Sequence, residues 1–185
     1  MIADPERRGR ALADLYRELA PRLFAEIEES GALADLDAEA RQCAWLEWDC
    51  FALYACVRGL VAAGGFNRET AAAIEAFHGA VLAESAAAPA AIEALHDRAL
   101  EPRGPDAASA TGAARAMISE RYAEYGAIGQ AGGRDDAEAI ACALGAAAAR
   151  HVGGAAPNLA AILSALHESL VEGSAEAVRR ATDPA

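Results

Sequence analysis

Glu47, Asp49 and Arg58 lie within AWLEWDCFALYACVRGL, residues 44–60, the most apolar stretch of a chain of 185 residues. An unpaired carboxylate in apolar surroundings is costly, so each acid must reach water, meet a basic or hydroxyl partner, or hold a proton. Read as a helix, the stretch sets Glu47, Phe51, Tyr54 and Arg58 along one stripe. Glu47 and Arg58 then face the same way but stand about 16 Å apart along the axis, too far to pair. Asp49 occupies a different face, ringed by Trp45, Leu46, Ala52 and Leu53. Partners must therefore come from elsewhere in the chain. SERYAEY, residues 119–125, offers one guanidinium and two phenols within about a turn: Arg121, Tyr122 and Tyr125. Arg121 either clamps a carboxylate of the apolar helix through its two-pronged donor face or pairs on the surface with Glu124 at i+3. The expected ligand-binding site joins Glu47, Asp49 and Arg58 to Arg121, Tyr122, Tyr125 and His78.

A metal centre is the alternative chemistry. Glu75-x-x-His78 and Glu93-x-x-His96 each place a carboxylate and an imidazole on one helical face, where both can bind one ion. With Glu47 they would make a carboxylate–histidine cluster for a transition metal, of the kind ferritin-like di-metal oxidoreductases use. The order of the acids departs from that pattern, because both ExxH units precede Glu120 and Glu124. The leading reading carries no cofactor. No nucleophile-elbow, dinucleotide or P-loop spacing accompanies the serines or the glycine pairs. His151 and His167 read as capping or surface histidines near helix ends.

The remaining composition narrows the classes. The formal charge is −12, and every basic residue is arginine. That balance, with no basic run, argues against nucleic acid and against anionic membrane surfaces. No segment reaches the roughly 18 unbroken apolar residues of a spanning helix, and no leader pattern opens the chain. Cys43, Cys50, Cys56 and Cys142 form no CxxC pair and read as free, buried thiols of a reducing cytoplasm. Alanine makes up more than a quarter of the residues, a helix-favouring bias that fits a GC-rich bacterial genome.

Helix signals recur throughout, and no alternating strand pattern interrupts them. Asp4-Pro5 opens a first helix that Pro21 should kink or restart and Gly31 should stop. Asp37 caps a second helix over 38–63, the central apolar one. Asn67 caps a third, and Pro89 opens a short fourth. A loop follows at 101–112. A fifth helix spans 113–129. A capping box of Asp135 and Glu138 starts a sixth, and the Leu159, Leu163, Leu166, Leu170 repeat marks a seventh that Gly173 should end. Ser174 can start a last short helix. The expectation is all-α: one domain over 1–185, a bundle of about seven helices. Ala141, Gly145 and Ala148 or Ala149 form a small-residue face, open to an internal neighbour or to a second copy in a homodimer. The expected role is non-enzymatic: a cytoplasmic helical bundle that binds a protein partner or a small ligand.

Overall fold

The computed structural model describes residues 4–85, 110–131, 137–153 and 156–182. The described chain is all-helical: α1 Pro5–Glu29, α2 Ala38–Gly64, α3 Arg68–Ser85, α4 Ala110–Ala131, α5 Ala137–Val152 and α6 Leu159–Thr182. The expected short fourth helix, and with it Glu93 and His96, falls outside the described residues. Six helices are therefore described rather than about seven. Of the expected loop, residues 110–112 already belong to α4.

Local chemistry sets most of the ends. The Asp4 carboxylate accepts from the Glu6 amide, with Pro5 in the first turn. Asp37 accepts from the Ala40 amide at 2.8 Å, and Asn67 from the Thr70 amide at 2.8 Å. These side chains satisfy amides that a helix start leaves without a partner. Gly31, at φ 77°, turns the chain just past α1, a conformation that costs glycine little.

Two expected breaks are absent. α1 runs unbroken through Pro21, whose ring faces solvent. Ala20, Phe24 and Ile27 are buried on both sides of it, and the Trp48 indole donates to the Ala20 carbonyl at 2.9 Å. Packing thus holds the helix across a residue that withholds one donor. α6 likewise passes through Gly173, because Ser174, Ala175 and Val178 are buried beyond it. Tertiary contact outweighs the local glycine signal there.

α2 sits at the centre and packs against each of the other five helices, most extensively against α6. α1 covers α3 and also touches α6, and α5 lies along α6. The largest fully buried side chains include Trp48, Phe51, Phe77 and Tyr125. Three crossings are close because a glycine stands at the contact. A methyl group on Gly9 would meet the Ala73 carbonyl oxygen at 2.6 Å, one on Gly59 the Val171 carbonyl oxygen at 2.5 Å, and one on Gly145 the Ala160 carbonyl oxygen at 2.4 Å. At Gly145 the small-residue face of α5 is therefore filled by α6 within the same chain, which leaves no seat there for a second copy. Gly59→Ala gains up to about 1 kcal/mol of helix propensity. The overpacking costs roughly 1–3 kcal/mol, because backbone rather than a flexible side-chain end must give way. Denaturant unfolding should show a net loss of about 1 kcal/mol; a more stable variant would mean that α2 and α6 separate freely.

None of the described helices is long and apolar enough to cross a membrane. Cys50 and Cys56 are free and buried, Cys142 is free and exposed, and Cys43 is half-buried. The expectation of buried thiols thus fails at Cys142, which lies on the solvent side of α5.

Candidate functional site

The charges of α2 find separate partners. Glu47, 8% exposed, accepts two hydrogen bonds from Arg121 of α4: Nε to Oε2 and Nη2 to Oε1, both at 2.6 Å. Of the two arrangements open to Arg121, the clamp is the one formed. Glu124 instead binds Arg150 at 3.2 Å and His151 Nε2 at 2.7 Å, tying α4 to α5. Hydrogen bonding to Glu47, and then its charge, holds the Arg121 proton more tightly than usual despite partial burial. His151 sits in the last turn of α5, as expected of a histidine near a helix C-terminus.

Asp49 does not join this pair. Its carboxylate accepts a short hydrogen bond from the Tyr16 hydroxyl of α1. Burial pushes the Asp49 carboxyl up to about 6, and the Tyr16 hydrogen bond pulls the other way. Tyr16 is not among the residues of the expected site. Its hydroxyl was the available signal, because a buried phenol needs a polar partner.

The aromatic residues of the expected site form a cluster around Tyr54. Tyr54 packs edge-on to Tyr122 at 5.4 Å, lies 5.3 Å from Tyr125, and donates its hydroxyl hydrogen bond to the Tyr125 carbonyl at 3.0 Å. His78 Nε2 and the Tyr122 hydroxyl are 2.8 Å apart, linking α3 to α4. Burial raises the Tyr54, Tyr122 and Tyr125 phenols, so all three stay protonated at neutral pH.

Arg58 belongs to another group. It stands near His167 of α6, a residue expected at a capping or surface position and found 3% exposed. The His167 ring stacks 5.6 Å from Phe51 and 6.4 Å from Tyr54. Burial, and then the Arg58 charge, lowers its pKa to about 4. Neither ring nitrogen has a hydrogen-bond partner among the described residues, which is uncommon for a buried polar group. The signal was present: His167 lies four residues after Leu163 and three before Leu170, on the buried stripe of α6.

Arg58 and His167 open onto a cleft of about 320 Å³ where α2, α5 and α6 meet, with Ala62, Ala141, Val171 and Ala175 as its apolar lining. The volume falls at the small end of the ligand-pocket range. The structure thus splits the expected constellation. Glu47 and Arg121, Asp49 and Tyr16, and His78 and Tyr122 are internal pairs. Arg58, with no ion pair among the described residues, borders open space with His167.

The metal alternative gains no described cluster. Glu47 is held by Arg121, Glu75 is exposed, and the His78 ring bonds Tyr122. Among the described residues no three His, Cys, Asp or Glu side chains gather as a metal site would require.

Asp49 and His167 have opposite linkage to pH. The Asp49 pKa is raised above the ordinary value of 3.8, so folding takes up a proton. Its contribution is full below that value and is lost as pH rises through about 6. The His167 pKa is lowered from 6.5 to about 4, so its contribution is present above 6.5 and lost as pH falls toward 4. Between about 4 and 6 the two slopes oppose each other. Tyr16→Phe removes the bond that favours the charged carboxylate. The Asp49 midpoint, read by carbon NMR, should then rise above 6, with about 1.5–3 kcal/mol of stability lost at pH 8. An unmoved midpoint would show that Tyr16 does not govern Asp49.

The chain matches no family model, no curated protein and no solved structure.

Proposed function

We propose that the protein is a non-enzymatic helical binding module whose small-ligand site is the α2–α5–α6 cleft. One observation carries this reading: a half-buried guanidinium without an ion pair and a buried imidazole without a hydrogen-bond partner, both among the described residues, border the same open volume. The guanidinium keeps its donors for water or for a ligand, because no carboxylate of the described residues takes them. The surrounding framework is packed and already formed, as expected of a ligand site. Phe51 and Tyr54 back the imidazole, and the clamp of Arg121 on Glu47 fixes the same helix two turns earlier. The cleft supplies poor machinery for chemistry. An imidazole whose pKa lies near 4 is a weak general base at neutral pH, and no hydroxyl or carboxylate of the described residues orients it. Free thiols fit the reducing compartment expected for the chain.

Nitrogen NMR of ring-labelled histidine gives a direct test, since the chain holds only four histidines. A panel of anionic, neutral and cationic small molecules is titrated against the full chain. A ligand of the cleft shifts the His167 ring resonances and loses that effect in Arg58→Met. If no compound moves His167, the cleft is not a ligand site and the reading falls.

A further inference from the structure

We infer that the cleft takes a small monocarboxylate, with the carboxylate on Arg58 and a short apolar chain on the alanine-lined wall beside the His167 ring. The inference rests on the reading of the cleft as a ligand site and adds the chemistry of the ligand.

Three properties of the lining select that class. The first is the donor set. Arg179 also lines the cleft, but Glu176 binds its guanidinium at 2.8 Å. Arg58 has no such partner among the described residues and offers a planar, two-pronged donor face suited to a carboxylate. His167 lines the cleft as an uncharged ring whose nitrogens are both covered by protein atoms, so it supplies contact rather than a donor. A carboxylate can accept from Arg58, whereas a neutral alcohol or a cation leaves it uncompensated.

The second property is the charge at the edge. Glu168 and Glu172, one turn apart on α6, also line the cleft, and both are exposed. Neither has an ion pair among the described residues. Both repel an incoming anion; Arg58 offsets that for one carboxylate, but a second negative charge carried toward solvent has no such offset, so dicarboxylates and phosphate dianions are disfavoured.

The third property is the shape of the apolar wall. Ala62, Ala141 and Ala175 are small, and only Val171 adds bulk. An unbranched chain of a few carbons can lie along such a wall. The cleft volume of about 320 Å³ suits a ligand of that size and not an extended polymer.

Calorimetric titration of the full chain with butanoate, pentanoate, hexanoate and octanoate, beside pentanamide and glutarate, tests the inference, with the His167 ring resonances as a second readout. At least one monocarboxylate should bind about tenfold more tightly than both pentanamide and glutarate, as expected for a hydrogen bond to a charged group. Arg58→Gln should remove that preference while its melting temperature without ligand stays close to that of the parent. Equal binding of pentanamide or glutarate, or full binding by Arg58→Gln, would overturn the assignment. If a neutral or cationic compound moves His167 and the carboxylates do not, the ligand class is wrong and the cleft remains a binding site. If His167 is silent to every compound, both readings are lost.

Discussion

Arg121→Met is expected to lower the stability of the fold by about 3 kcal/mol, near the lower end of the cost of breaking a buried pair. The side chains of Glu47 and Arg121 are 11% and 14% exposed, so the carboxylate left behind has little water to turn to. Its neighbours on α2 include Cys50 and Phe51, both buried. A chain of this size should lose about 6–12 °C of melting temperature for such a change. The second arm separates the worth of the pair from the penalty of orphaning one member. In Glu47→Leu with Arg121→Met, both charges leave together, and most of the lost stability should return. Urea unfolding of the two single variants and the double variant reads these terms. A loss below about 1 kcal/mol in Arg121→Met would mean that Glu47 reaches solvent unaided.

Phe51→Ala is expected to cost about 4 kcal/mol. The ring is fully buried and contacts three others: Trp48 at 6.3 Å, Tyr125 at 5.3 Å and His167 at 5.6 Å between centroids. Its removal takes away transfer free energy and leaves a cavity that α2, held from five sides, cannot close. The vacancy also lies beside the imidazole. Water entering there relieves the burial that depresses His167, so its midpoint should move up from about 4 toward 6.5. Denaturant unfolding reads the first effect and histidine NMR the second. A large loss of stability with an unmoved midpoint would place the source of the depression elsewhere.

The helical class and the central place of α2 were legible because composition, caps and the apolar run agree. The pair of Glu47 with Arg121 was legible as one of two arrangements, since a basic partner is one way to settle an acid in apolar surroundings and Arg121 offers a two-pronged donor face. The partner of Asp49 was not found. Tyr16 is 33 residues upstream, and nothing local to Asp49 points to it. Pro21 and Gly173 misled for a related reason. Both are sound local signals overruled by burial of the residues beyond them, and burial is a property of the assembled bundle. His167 reads as a capping or surface histidine when the seventh helix is ended at Gly173, although its register on α6 is that of the core.

The contact of Gly59 with Ser174 and Val171 joins positions more than a hundred residues apart, and α6 covers α2 while also touching α1. During translation, α2 leaves the ribosome long before the helix that shields it has been made. Its apolar flank must wait without that cover, a hazard for a nascent chain in a crowded cell. The burial of His167 waits as well, because residue 167 belongs to α6 itself. The cleft therefore cannot be complete in a half-made molecule, and any ligand it holds is recruited only after synthesis has passed that point.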